Sequence, residues 1–375
     1  MKILLTGATG YIAQRLLPVL LEGGHEVVCC SRDKYRFNKE SFASAKLSVI
    51  EVDFLKRETL KEIPADIDAA YYLIHSMSST TGDFTTLEAT AAQNFIDGIN
   101  HTKAQQIIYL SGIVNEKHLS KHLRSRQNVE TILASGNVPL TTLKAGIIVG
   151  SGSASFEIIR DLVEKLPVMI APRWLSTACQ PIAIRNVIEF LAGVLLRKET
   201  FHHSYDIGGP DILSYKQMLL QFAEVRRLKR RILVVPVMTP KLSSYWLYFV
   251  TSTSYTLARN LVDSMKVEVV CTPNNLTRLL GIQLIPYKKA IAMAFDKIEQ
   301  NEVVSSWKDA LTSNILNRGI AQHIEVPVNG CFKDVRKVDV QNVDDVMNRI
   351  WAIGGSTGWY YGNWLWTIRG AMDKM

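Results

Sequence analysis

Lys2-Ile3-Leu4-Leu5-Thr6-Gly7-Ala8-Thr9-Gly10-Tyr11-Ile12-Ala13 is the stretch whose reading decides the fold. Residues 2–5 read as a short buried strand, and an apolar helical pattern follows through Leu16, Leu17, Val19, Leu20 and Leu21. Gly7 permits a tight turn between them. Gly10 lets the backbone approach a pyrophosphate, and small Ala13 lets the helix pack closely on the strand. The helix N-terminus adds N–H donors and positive potential for an anion. A glycine triplet alone is a weak signal. Here it follows a strand, opens a helix and starts a βαβ unit, which is the context that confirms a dinucleotide loop. Gly7, Thr9, Gly10, Tyr11 and Ile12 are its expected contacts.

Outward from the loop the rhythm repeats. Gly23-Gly24 ends the first helix, and Glu26–Cys30 is the second strand. Strands follow at 47–52, 69–74, 106–110 and 140–145, alternating with helices near 56–62, 83–101 and 119–135. Alternating strands and helices predict a doubly wound parallel Rossmann sheet, and the near-continuous apolar runs fit strands buried on both faces. This α/β core is expected to span residues 1–150. A mainly helical substrate-side region follows over 151–300, with helices at 155–166, 184–196 and 215–228, strands at 181–183 and 203–207, and mostly helix over 241–300. Residues 301–375 read as a partial α+β module whose end is rich in aromatic residues, Trp359, Tyr360, Tyr361, Trp364 and Trp366 among them.

The 375 residues are 47% apolar and 21% charged, an ordinary globular balance, and the net charge is +8. The five cysteines (29, 30, 179, 271 and 331) lack metal-ligand spacing and read as scattered thiols of a reducing cytoplasm. His202-His203 has no third ligand nearby, so no metal is expected. The chain opens on a strand with no signal-peptide pattern, and its most apolar window, 233–250, is broken by two prolines and Lys241. The basic run Arg226-Arg227-Leu228-Lys229-Arg230-Arg231 reads first as a solvated helix C-terminus. A second reading is peripheral contact with an anionic membrane, with help from Tyr245-Trp246-Leu247-Tyr248-Phe249. No nucleic-acid motif accompanies the charge.

Cofactor choice is read at the end of the second strand, where an NAD site places an acid for the ribose 2′-hydroxyl. This chain has Cys30-Ser31-Arg32, and Asp33 comes only after the arginine. Arg32, with Arg36 beyond it, matches a 2′-phosphate, so NADP(H) is expected over NAD(H). Asp53 ends the third strand, where it serves the adenine amino group, a helix N-cap, or both.

The motif Thr6-Gly7-Ala8-Thr9-Gly10-Tyr11-Ile12 resembles that of atypical short-chain dehydrogenases/reductases, the branch with NmrA-like regulators and isoflavone-reductase-like enzymes. The resemblance continues through Val52-Asp53-Phe54, Leu73-Ile74-His75-Ser76, Tyr109-Leu110-Ser111, Ala145-Gly146-Ile147-Ile148-Val149-Gly150 and Asp206-Ile207-Gly208-Gly209-Pro210. It covers about residues 1–235. Gly354-Gly355 to Trp359-Tyr360-Tyr361-Gly362-Asn363 resembles the C-terminal module of a bacterial group of NAD(P)-dependent oxidoreductases. Such modules usually run further, so an incomplete module is expected here.

The resemblance implies further cofactor contacts at Phe54, Ile74, His75, Ser76, Ala145, Gly146 and Ile147. It also implies a Ser, Tyr, Lys set in which Tyr-x-x-x-Lys stacks two side chains one helical turn apart. In this chain Ser111 holds the serine position, His122 the tyrosine position and Arg126 the lysine position. Histidine can donate a proton near neutral pH, but an arginine one turn away reduces its protonated fraction. Arg126 can hold ribose hydroxyls yet cannot relay a proton. Two expectations follow. One is an NADP-dependent oxidoreductase that reduces a carbonyl- or quinone-like small molecule. The other is a non-catalytic NADP(H)-sensing or scaffold protein of NmrA-like type.

Overall fold

The computed structural model describes residues 1–37, 42, 44–74, 84–113, 121–235, 267–299, 342–352, 358 and 363–366. It divides into two compact units, Met1–Phe332 and Lys333–Met375. The first carries β1 (Lys2–Leu5), α1 (Tyr11–Glu22), β2 (Glu26–Ser31), β3 (Leu47–Glu51), β4 (Ala69–Tyr72), α2 (Phe84–Ile99), β5 (Ile107–Gly112), α3 (Lys121–Ala134) and β6 (Leu140–Ala145). Then come β7 (Ile148–Val149), α4 (Ala154–Lys165), β8 (Val168–Pro172), β9 (Ala178–Cys179), β10 (Ile182–Ala183), α5 (Ile184–Gly193), β11 (His203–Ile207), β12 (Leu213–Ser214), α6 (Tyr215–Val225) and β13 (Arg231–Val235). Helices Leu276–Leu280 and Tyr287–Glu299 follow.

Seven of these strands form one parallel sheet in the order β11-β6-β5-β4-β1-β2-β3. The doubly wound class expected from the sequence is the class observed. Its strands alternate two apolar faces. Ile3, Leu5, Val27, Cys29 and Ile108 pack under α1 and α5, while Leu4, Val28, Ala70, Tyr72 and Tyr109 pack under α2 and α3. β1 lies between β2 and β4, so the strand order reverses beside it, and ligands of open α/β sheets gather at that crevice. Burial of apolar runs on both faces is what makes the arrangement stable and parallel.

The substrate-side region is less purely helical than its periodicity suggests. It adds three two-stranded ribbons, β7 with β10, β8 with β13 and β9 with β12. These strands are two to five residues long, too short to register as alternation in the sequence. Phe156, Phe222 and Phe295 knit α4, α6 and helix Tyr287–Glu299 into a separate core. The expected helices over 241–266, and all of 301–341, lie outside the described residues. In the second unit, helix Val343–Trp351 is capped by Asn342, whose Oδ1 accepts from the N–H groups of Asp344 and Asp345.

One buried amide joins the sheet to the loop after α5. Gln106 donates to Thr141 Oγ1 at 2.8 Å and to the Val194 carbonyl at 2.9 Å, and its oxygen accepts from the Leu196 N–H. Leu196 is held at φ 51°, a left-handed conformation that a leucine rarely adopts without such a partner. Gln106→Leu keeps the volume but removes all three bonds and leaves the Leu196 N–H without this acceptor, while the Val194 carbonyl keeps the Arg197 N–H and the Thr141 hydroxyl keeps the Thr200 carbonyl. We expect a loss of about 2–4 kcal/mol, read as a lower urea midpoint with an unchanged slope.

Candidate functional site

The site begins where β1 ends. Thr6 is fully buried, and its hydroxyl donates to the Tyr71 carbonyl at 2.9 Å while accepting from the Leu73 N–H at 3.1 Å. This clamp holds the ends of β1 and β4 together at the switch point. Gly7 turns there at φ 63°, and a Cβ on it would lie 2.5 Å from the Leu73 carbonyl oxygen. No side chain fits that position. Gly10 then donates to the Gly7 carbonyl at 2.8 Å and caps α1 without a side-chain hydrogen bond. Gln14 reaches back to the Ala8 carbonyl at 2.6 Å, and Ala13 is buried against the sheet. The first turn of α1 carries no acid, so its positive end faces the crevice uncompensated. Thr9 and Ile12 sit half-buried on the rim of this cradle.

Tyr11 faces the other way. Its ring lies under the Arg15 guanidinium at 4.0 Å, and its hydroxyl sits where a Cβ on Gly150 would come within 2.7 Å. Burial pushes that hydroxyl up to about 12. Arg15 also donates to the Ser151 carbonyl at 2.7 Å. The helix that presents the glycine loop is thereby tied to the substrate-side region.

At the end of β2 the acid is already occupied. Asp33 caps the turn Lys34–Arg36 by accepting from the Tyr35 N–H at 3.0 Å, and its carbonyl accepts from the Ser31 hydroxyl at 2.7 Å. Arg32 is exposed, and among the described residues no ion-pair partner holds it. Arg36 stands close enough that burial and then the Arg32 charge lower its pKa. Two adjacent cations at this corner are suited to a dianion.

Asp53 follows β3, and its carboxylate accepts from the Leu55 N–H at 3.1 Å, a local turn bond, while the N-cap of the helical turn Arg57–Glu62 is Lys56. The Phe54 ring packs 5.6 Å from Phe95 in the core, and its carbonyl accepts from buried Asn94 at 2.7 Å. Ile74 is half-buried beside the cradle, whereas His75 and Ser76 lie outside the described residues. Ala145 is buried. A Cβ on Gly146 would meet the Gln180 carbonyl at 2.8 Å, and the Ile147 carbonyl accepts from the Ile182 N–H at 2.9 Å.

Ser111 stands buried at the carboxyl end of β5, in register with Lys144 of β6. His122 lies in the first turn of α3, with its side chain outside the described residues. Arg126, one turn on, points into the fold. Its Nη1 donates to the Leu110 carbonyl at 3.1 Å and to the Tyr109 hydroxyl at 3.3 Å. Its Nε–H is buried and meets no acceptor among the described residues. Lys144 pairs with Glu130 of α3 at 3.0 Å, which fixes α3 on the strand that neighbours Ser111. Among the described residues no group of His, Cys, Asp and Glu could hold a metal. Cys29, Cys30 and Cys179 are buried thiols.

The glycine cradle, the uncapped helix and the Arg32–Arg36 corner lie around one sheet edge, and the cradle and helix fit a dinucleotide. Sequence reasoning missed Thr6 as a clamp and Gln14 as a brace for the loop. Thr6 was legible only as the residue before the turn, and Gln14 only as one more polar helix residue.

Comparison with known proteins agrees with this geometry. Residues 7–145 match the family described as NAD(P)H-binding. The divinyl chlorophyllide a 8-vinyl-reductase of Cucumis sativus is 23% identical over 224 residues, 56% of this chain and 53% of that protein. The chain thus spans about half the length of the curated relatives it matches. The triphenylmethane reductase of Citrobacter sp., solved with NADP(H), superposes with a TM-score of 0.64 at 16% identity, covering 78% of this chain and 100% of that one. UDP-glucuronic acid 4-epimerase of Bacillus cereus, solved with UDP-glucuronic acid and NAD, gives 0.57 at 16%, covering 80% and 99%. The resemblance to atypical short-chain dehydrogenases/reductases drawn from the motifs is borne out.

Gly7→Ala puts a methyl group against the Leu73 carbonyl at a positive φ. Its expected result is a loss of NADPH affinity of about a hundredfold or more, measured by calorimetry, with the circular dichroism of the folded chain retained.

Proposed function

We propose that this NAD(P)H-binding chain of the atypical short-chain dehydrogenase/reductase type is an oxidoreductase that uses NADP(H) to reduce a carbonyl- or quinone-like small molecule. The observation that carries the cofactor preference is the corner after β2. The acid that follows the strand, Asp33, is committed to capping a turn, and Arg32 stands exposed beside Arg36. When bound, NADP(H) supplies a hydride. The chain's own residues do the rest. The α1 N-terminus holds the pyrophosphate, and Arg32 and Arg36 hold the 2′-phosphate. Ser111 orients the substrate oxygen at the end of β5, and His122 is the candidate proton donor. Arg126 acts from within the fold, offering Nε–H while its other donor anchors Leu110 and Tyr109.

That inward turn favours a second reading, a protein that senses NADP(H) without turning it over. An arginine engaged with Tyr109 does not set a neighbouring acid as a free lysine does. NADPH oxidation against a panel of quinones and aldehydes separates the two. Turnover that falls in His122→Ala, with NADPH affinity preserved, supports the oxidoreductase. Tight binding without turnover of any panel member supports the sensor.

Arg32→Ala addresses the cofactor directly. NADPH affinity should drop about tenfold or more, while NADH affinity stays within error. Equal loss for both cofactors removes the 2′-phosphate role.

A further inference from the structure

The basic run after α6 is sorted by the fold into two classes. Arg226 pairs with Glu164 at 3.3 Å and covers the Phe295 ring at 4.1 Å. Arg230 turns onto the end of α4, donating to the Val163 and Glu164 carbonyls. These two are structural cations at a helix C-terminus. Arg227, Lys229 and Arg231 are exposed and have no ion-pair partner among the described residues.

The free cations border a ribbon with an unusual outer face. β8 and β13 pair in parallel, with Arg231 opposite Val168, Ile232 opposite Met169 and Leu233 opposite Ile170. Met169, Ala171 and Ile232 turn inward onto the core of the substrate-side region. Residues of the other face alternate outward, and there Val168 is 53% and Leu233 59% exposed. A solvated ribbon face is ordinarily polar. Here Val168 of β8 stands opposite Arg231 of β13, Leu233 lies two residues further along β13 on the same face, and Arg227 and Lys229 are in the turn that leads in. Contiguous exposed apolar surface rimmed by cations marks an interaction site.

We propose that this face docks the protein onto an anionic lipid surface. Charge complementarity names the occupant, because apolar side chains enter the headgroup boundary while neighbouring Lys and Arg meet anionic headgroups. A second copy meeting the same face about a two-fold axis would set three cations against three cations. A nucleic acid would use the charge and leave Val168 and Leu233 in water. No described helix is long and apolar enough to cross a membrane. The docking stands independently of the oxidoreductase reading.

Flotation of the full chain with lipid vesicles tests the docking independently of turnover. Binding is expected to phosphatidylcholine vesicles containing about one third phosphatidylglycerol, and not to phosphatidylcholine alone. Salt should release it, since screening weakens exposed charge contacts. Lys229→Glu with Arg231→Glu should weaken partition about tenfold or more. Val168→Thr with Leu233→Ser should also weaken it, with the salt dependence kept. Lys103→Glu with Lys198→Glu makes the same change in net charge on other exposed residues and should leave partition unaltered. All the substituted side chains are exposed, and thermal melts confirm folding. The proposal is overturned by absence of flotation with anionic vesicles, or by equal loss in the control pair. It is also overturned if the Val168/Leu233 variant floats as wild type, or if a duplex oligonucleotide binds the chain and displaces the vesicles completely.

Discussion

Gly7 rests against the carbonyl of Leu73, and the rest of the site depends on that contact. A backbone can pass this close to another backbone only where no Cβ intervenes. The approach closes the crevice floor between β1 and β4, and the Thr6 hydroxyl locks it by bridging Tyr71 and Leu73. With the floor fixed, α1 must start over the switch point, and its N–H groups are aimed before any ligand arrives. Such preorganisation is what lets a helix N-terminus hold an anion without reorganisation.

Around that floor, the charged residues fall into those committed to the protein and those left for a ligand. Asp33 and Asp53 each spend a carboxylate oxygen on the turn that follows their strand. The Lys144–Glu130 pair joins α3 to β6. Arg32 is left uncommitted, and Arg36 stands half-buried beside it. Arg126 is divided, with one nitrogen anchored on β5 and another buried without an acceptor among the described residues. In the proposed reading, cofactor binding and chemistry rest on different parts of the fold. The binding elements come from backbone geometry near β1 and β2. The catalytic candidates come from β5 and α3.

The substrate-side region is joined to the binding loop through two residues of α1. Arg15 takes the Ser151 carbonyl, and Tyr11 fills the space that Gly150 leaves. Movement of the loop after β7 is therefore felt at the glycine cradle. In the same region, the fold uses Arg226 and Arg230 to finish helices and leaves Arg227, Lys229 and Arg231 exposed. One run of six residues thus serves two purposes, and only the packing tells which residue serves which.

The chain's local pattern was enough for the sheet, because burial on both faces writes each strand as an apolar run and each crossover as a helix. β1, β6 and β11 were legible with their limits, and the glycine loop was legible because its turn, helix and small residues are contiguous. The direction of Arg126, the occupation of Asp33 and the outer face of the β8–β13 ribbon were not legible. Arg126 finds Tyr109 and Leu110 from another element, and β8 meets β13 across some sixty residues of chain. Gly7, Gly10 and Ala13 stand in one contiguous stretch between a strand and a helix, so sequence alone determined the cradle, although the Leu73 carbonyl it rests on came from the tertiary structure. A charged side chain's role is set by whichever partner reaches it first, and that was decided only by the tertiary structure.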